Sequence, residues 1–284
     1  MGKRRTLAAE VFATGVTLHA GVPVHMRLAP ALPSSGICFR RTDIVGSEPI
    51  MALWSNVVEA RLGTVLGANG INVGVVEHLL AALAGAEIDD CSVELDGPEP
   101  PVLDGDALAF LNLVNQAGVR ETDGRQRIIT VLKEVAVVTG DSSARLLPSD
   151  TRCFYFEIDF SNAAIGRQSF TFDFTRENFR RDIAPARTFG FLNEAEQLRA
   201  MGYGRGADLS NTLVIDGDRL INPERQRFPD EFVRHKILDV IGDLKLAGAP
   251  LIAHFEGRRS SHALNNALLR ALFADRKNYE WKDL

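Results

Sequence analysis

Apolar and polar positions alternate through most of the first sixty residues, with Gly and Pro breaking the runs. TLAAEVFATGVTLHAGVPVHMRLAPA reads as two strands around a Gly-rich turn, and SGICFRRTD and NVVEARLGTVLG continue the β pattern. The period then lengthens. GVVEHLLAALAG predicts a short helix ended by Gly85. DDCSVELDG predicts a strand, and LDGDALAFLNLVNQAGV a second helix with Asp104 or Asp106 as N-cap and Gly118 beyond its end. Strands resume in RIITVLKEVAVVTG, SARLLP, RCFYFEIDF and QSFTFDF. DEFVRHKILDVIGDLKLAG predicts a helix stopping at Gly248, PLIAHFEG a strand and SSHALNNALLRALFAD a last helix.

Helix–Gly–strand–helix thus occurs twice, at 75–117 and 229–275, each time after a run of strands. This order suggests two related α+β domains that pack together and bring two helix starts to one cleft; chance similarity of two α/β stretches is the alternative. The polar ETDGRQ segment at 121–126 carries a D-G turn signal and marks the boundary, giving domains 1–124 and 125–284. Residues 187–216 interrupt the second unit with a helix-like run, a Gly-rich loop and a strand. An insertion of this kind beside a cleft shapes a pocket.

The helix EFVRHKILDVIGDL, residues 231–244, carries two stripes. Val233, Ile237, Val240, Ile241 and Leu244 fall on one arc and face a core. His235, Asp239 and Asp243 recur every fourth residue, with Lys236 at the edge. His235 and Asp239 at i, i+4 have the spacing at which a helix offers two ligands to one metal, and an imidazole with a carboxylate suits zinc. A surface His–Asp contact is the ordinary alternative; the adjoining apolar arc weighs against it. A catalytic zinc needs a third protein ligand. Among the six histidines, His78 stands out because Glu77 precedes it at a helix start, although a capping Glu beside a structural His explains that pair equally well. Asp243 is either a further ligand or the partner of another imidazole, for which His262 in SSHALNN is the candidate. A carboxylate partner keeps such an imidazole cationic; a capping or solvent-exposed histidine is the ordinary alternative.

Composition narrows the class. The chain has 284 residues, 45% hydrophobic and 24% charged, as expected of a globular protein. A net charge of −5 argues against a generic nucleic-acid binder. Cys38, Cys91 and Cys153 lie far apart, which fits free thiols in a reducing compartment. MGKRRTLAAEVFATGV has no apolar core of a signal peptide, and no run of roughly 20 apolar residues predicts a membrane span. These features predict a cytoplasmic protein, and the lack of an apolar seam predicts a monomer.

VEHLLAALAG, PEPPVLDGDA, ARTFGF, FPDEFVRHKILDVIGDL and SHALNN, in this order, closely resemble the UDP-3-O-acyl-N-acetylglucosamine deacetylases, the zinc enzymes of the committed step of lipid A synthesis. The resemblance runs from GVTLHAG to the last helix, and it implies an α+β fold of two similar two-layer sheet/helix domains with the active site between them. It implies hydrolysis of the N-acetyl group of a UDP-linked acylated glucosamine, with Zn2+ on His78, His235 and Asp239; the ligand set also tolerates iron. It implies Glu77 as general base, His262 as the catalytic histidine, Asp243 behind it, and Thr188 as the hydroxyl at the oxyanion. Lys236 and Phe189 match residues lining the substrate, and His19 lies in the GVTLHAG block. Phe160 matches a uridine contact and Arg259 a basic position near the diphosphate. The 187–216 insertion matches an apolar passage for the acyl chain. Val76, Leu80, Ser143, Asn162, Ala163 and Ser261 depart from the usual pattern, and none is a proposed metal ligand.

Overall fold

The computed structural model describes residues 2–284. In chain order the first half runs β1 (Lys3–Leu7), β2 (Val11–Val16), β3 (Pro23–Pro30), β4 (Ile37–Arg41), β5 (Ile50–Met51), β6 (Val57–Glu59), β7 (Val65–Ala68), β8 (Ile71–Val73), α1 (Glu77–Gly85), β9 (Cys91–Leu95), α2 (Leu108–Ala117) and β10 (Val119–Arg125). The second half runs β11 (Arg127–Val131), β12 (Val135–Thr139), β13 (Ser142–Leu147), β14 (Cys153–Asp159), β15 (Arg167–Asp173), α3 (Arg176–Asn178), β16 (Phe189–Phe191), α4 (Leu192–Ala200), β17 (Leu213–Asp216), β18 (Arg219–Leu220), α5 (Glu231–Lys245), β19 (Leu251–Ile252), β20 (His254–Arg258), α6 (His262–Ala274) and β21 (Tyr279–Asp283).

Each half contains a five-stranded sheet of one design, ordered β2-β3-β9-β4-β5 and β12-β13-β20-β14-β15. The late strand, β9 or β20, lies in the middle. It runs antiparallel to the first hairpin and parallel to β4 or β14, which pairs antiparallel with the edge strand. The repeated helix–Gly–strand–helix order in the sequence is therefore matched by the same strand topology. Central strands bury alternate residues, as in β9 and β14, because one face meets helices and the other water. A three-stranded sheet is inserted at the same place in both halves, after the edge strand and before the first long helix: β6-β7-β8 and β16-β17-β18. The second, with α4, runs from Phe189 to Leu220 and overlaps the 187–216 segment.

The helices lie between the two sheets. α2 packs on β2, α6 on β12 and β13, and α5 on β14 and β15, while α1 packs on α2 and, across the middle, on α5. One apolar core runs through both halves, from Leu7 and Phe39 to Phe156 and Leu268. Two local expectations differ. Residues 121–125 are not a turn but part of β10, paired antiparallel with β1. Only Thr122 there turns fully inward, so the alternation is masked by polar residues on a two-stranded sheet. The helix expected with Asp104 or Asp106 as N-cap starts at Leu108 after Ala107, and Asp106 accepts the Ala109 N–H at 3.1 Å.

The α1–α5 contact is set by one glycine. A Cβ on Gly242 would lie 2.0 Å from the Glu77 carbonyl oxygen. The predicted arc of α5 is buried, and so are His235, Asp239 and Asp243. Replacing a solvent-facing helical Gly by Ala stabilises by about 1 kcal/mol. Here the sign reverses, because the methyl must push α1 away. Gly242→Ala is expected to cost at least about 2 kcal/mol, read as a lower Tm; an unchanged or higher Tm would contradict this packing.

Candidate metal and acid–base site

The site is built where α1, α5 and α6 converge. Val75, just ahead of α1, has φ +52°, a left-handed conformation that a β-branched residue adopts only under constraint. It is buried with Leu18 and Val102, and this small cluster holds the strained entry. Val76 gives the helix no side-chain cap. Glu77 does not cap it either: its Oε2 accepts the Thr64 N–H at 3.0 Å. Glu77 and His78 are thus both buried.

On α5 the i, i+4 stripe faces His78. Asp239 Oδ1 lies 3.4 Å from His235 Nε2 and 3.6 Å from His78 Nε2. The two imidazoles meet edge to face, with centroids 4.9 Å apart. His235 Nδ1–H donates to the Ala186 carbonyl at 3.0 Å, which leaves Nε2 with its lone pair toward the cluster. Burial pushes the His235 pKa down to about 3, against the pull of Asp239, so the ring is neutral and able to ligate. Asp239 stays well below the usual carboxylate range despite its burial, because of Lys236 and His235. Lys236 Nζ donates to Oδ2 at 2.9 Å.

Asp239 Oδ1 is buried and has no hydrogen-bond partner among the described residues. Such an acceptor is costly, and a cation between it and the two imidazoles removes the cost. One ligand atom from each of His78, His235 and Asp239 lies within 4.8 Å of the others. Tetrahedral bonds of 2.0–2.1 Å would space ligand atoms about 3.3 Å apart, close to the two measured separations. The residues fit a divalent metal of the zinc or iron type.

Beside this trio, His262 begins α6. Ser261 caps the helix, accepting the Leu264 N–H at 3.3 Å. His262 Nδ1–H donates to Asp243 Oδ2 at 2.9 Å, and its Nε2 lies 3.8 Å from Glu77 Oε1. Burial disfavours the His262 cation, but Asp243 and Glu77 outweigh it and raise its pKa to about 10. Burial raises Glu77 above the ordinary carboxylate range, with His262 and His78 opposing. A carboxylate of raised basicity thus faces an imidazolium.

Of the remaining expected residues, Lys236 and Phe189 lie against the trio. Lys236 Nζ stands 5.5 Å from the centroid of the Phe189 ring, which packs edge-on against His235, Phe160 and Phe232. Phe160, Lys236 and Arg259 line one cavity of about 480 Å³. Arg259 is paired with Asp159 at 2.7 Å. Thr188 follows two residues after Ala186; its N–H donates to the Gly105 carbonyl at 2.9 Å. His19 does not touch the metal trio. It sits across Gly63 from Glu77, in a cavity with Glu59 and Tyr203. A further cavity of about 380 Å³, lined by Phe191, Leu192, Leu198, Val214 and Ile221, is largely apolar and lies in the second insertion.

A model of the UDP-3-O-acyl N-acetylglycosamine deacetylases matches residues 4–274. The chain belongs to this deacetylase family. It is 47% identical to the UDP-3-O-acyl-N-acetylglucosamine deacetylase of Myxococcus xanthus, over 98% of this chain and 88% of the relative. It is 46% identical to the enzyme of that name from Phenylobacterium zucineum, over 95% and 93%. With the Acidithiobacillus ferrooxidans deacetylase it shares 44%, over 100% and 94%.

Within this deacetylase fold, sequence reasoning missed Thr64 and Asn265. Both donate to Asp243, at 2.5 Å and 2.8 Å. Asn265 had a signal, lying one helical turn after His262. Thr64 sits in an ordinary β pattern, 179 residues from its partner, and carried none. Asp239→Ala is expected to drop bound divalent metal from about one per chain to near zero, measured by elemental mass spectrometry on folded protein; retention of a full complement would contradict the ligand set.

Proposed function

We propose that the protein hydrolyses the N-acetyl group of UDP-3-O-(3-hydroxyacyl)-N-acetylglucosamine, releasing acetate and the free glucosamine amine in lipid A biosynthesis. The observation that carries this reading is the meeting of the His78–His235–Asp239 trio with the Glu77–His262 pair, 3.8 Å apart, in a chain of this family. His78, His235 and Asp239 would hold zinc. Bound there, zinc would supply Lewis acidity toward the acetamide carbonyl and the attacking water. Glu77 takes the water's proton. Thr188, whose hydroxyl has no protein partner among the described residues, donates to the developing oxyanion. His262, kept cationic by Asp243, stabilises the negative charge, and it or the protonated Glu77 then gives the leaving amine its proton. Lys236 neutralises Asp239 and lines the path of the sugar.

The rest of the substrate has room in the two neighbouring cavities. Phe160 offers an aromatic face for the uridine, with Arg259 for the diphosphate, and the apolar cavity of the second insertion would take the acyl chain. His19 would bound the cleft on the far side of Glu77. In this proposal residues 1–124 and 125–284 act as two domains closing on one substrate. The chain works as a monomer in the cytoplasm, a reading supported by three free cysteines. No described helix is long and apolar enough to cross a membrane.

Mass spectrometry of UDP-3-O-acyl-N-acetylglucosamine incubated with the zinc-loaded protein tests the reaction; no acetate loss would refute it. Glu77→Ala and His262→Ala are each expected to lower kcat by about 10²–10⁴-fold. The rate should fall on the acid side as Glu77 gains a proton and on the alkaline side as His262 loses one. In Asp243→Asn the carboxylate's support of the cation is gone, so the alkaline limb of the kcat profile moves to lower pH; an unmoved limb would contradict the assignment. A Cβ on Gly190 meets open space in the apolar cavity. Gly190→Leu should therefore raise KM for long-acyl substrates by about tenfold, given about 0.8 kcal/mol per displaced methylene, and leave short-acyl analogues unaffected.

A further inference from the structure

Thr64 is fully buried, just ahead of β7 in the first insertion. Its backbone N–H donates to Glu77 Oε2 at 3.0 Å, and its hydroxyl to Asp243 Oδ1 at 2.5 Å. Among the described residues it alone hydrogen-bonds both carboxylates. A hydroxyl has one proton. With that proton on Asp243, the 3.5 Å approach of Thr64 Oγ1 to His262 Nδ1 leaves Nδ1–H free to donate to Asp243 Oδ2. Asn265 Nδ2 donates to the same Oδ2 at 2.8 Å, and Ser260 Oγ fixes the amide by donating to Asn265 Oδ1 at 2.8 Å. Asp243 is therefore held on both oxygens and cannot turn without losing a bond.

The segment carrying Thr64 is itself clamped. His19 Nδ1 accepts the Gly204 N–H at 3.2 Å, so its Nε2–H donates to the Leu62 carbonyl at 3.0 Å. Tyr203, next to Gly204, donates its hydroxyl proton to Glu59 at 3.0 Å. A Cβ at Gly63 would lie 3.0 Å from Glu77 Oε1, so the backbone of 62–64 lies directly against that carboxylate.

We propose that Thr64 is a positioning residue of the deacetylation, an inference that rests on the function proposed above. Its N–H turns Glu77 so that Oε1 faces the cleft. Its hydroxyl turns Asp243 so that Oδ2 takes the His262 Nδ1–H and the ring presents Nε2 to Glu77. One residue of the first insertion thus sets the spacing of the base and the imidazolium, which come from α1 and α6. Its effect falls on the chemical step, since the side chain is sealed from the substrate cavities.

Thr64→Val keeps the shape and removes the hydroxyl. Loss of one hydrogen bond to a charged group predicts a kcat lower by about ten- to hundredfold, with KM within about twofold and metal content unchanged. Thr64→Ser, which restores the donor, should recover kcat to within about threefold of the parent. In an Asp243→Ala background Thr64→Ala should cost nothing further, because its target is gone; this cycle also serves if the valine variant does not fold. Wild-type kcat in Thr64→Val, serine as poor as valine, or additive losses in the cycle would each overturn the proposal. If the parent protein itself releases no acetate, the deacetylase reading fails separately. Nitrogen NMR of His262 then still decides: the Nδ1–H signal should persist in Thr64→Ser and be lost to exchange in Thr64→Val, and a signal unchanged in valine overturns the positioning role.

Discussion

The site depends on how closely α1 can approach α5. Gly242 removes the side chain that would meet the Glu77 carbonyl, and the two helices settle backbone against backbone. That contact brings Glu77 and His78 to the stripe of His235, Asp239 and Asp243. Each helix alone presents an incomplete set: a carboxylate and one imidazole on α1, an imidazole and two carboxylates on α5. A larger residue at 242 would separate the halves of the His–Asp cluster and leave buried charge without its counterpart, which is expensive in a low-dielectric interior.

Burial of so many ionisable groups is tolerable because they answer one another. Lys236 neutralises Asp239; Asp243 keeps His262 cationic and is itself satisfied by Thr64 and Asn265. Among these described site residues the balance leaves Asp239 Oδ1 unanswered, at the point where two imidazole nitrogens also converge. The same electrostatics separates two chemical roles. Desolvation makes Glu77 a stronger base, while carboxylate neighbours make His262 a persistent cation. Pairs tuned in this way are how a protein runs acid–base chemistry near neutral pH.

The two halves repeat one architecture. Two sheets of identical order each carry helices inward, and each accepts a small three-stranded insertion before its first long helix. The insertions have diverged. The first lays Leu62, Gly63 and Thr64 over the Glu77 carboxylate, whereas the second encloses an apolar cavity. His19 and Tyr203 tie them together across the cleft, so the two elements that cover the site are mechanically joined.

Local pattern was enough for the helix–Gly–strand–helix repeat, the buried arc of α5 and the i, i+4 pair of His235 and Asp239, because periodicity and short spacing are properties of the chain itself. The ordered motifs added the expectation that Glu77, His78 and His262 belong to one site. The strand at 121–125 was hidden, since its polar residues belong to a two-stranded sheet whose pairing with β1 is nonlocal. Thr64 was hidden for the same reason: nothing beside it in sequence asks for a donor, and its value comes from Asp243, far along the chain. Which side chains are ionisable, and which share a helix face, was determined by the sequence. Which of them lose their water, which lone pair stays unpaired and how far apart Glu77 and His262 stand were decided only by tertiary packing, because desolvation and distance exist only once the two helix layers have closed on each other.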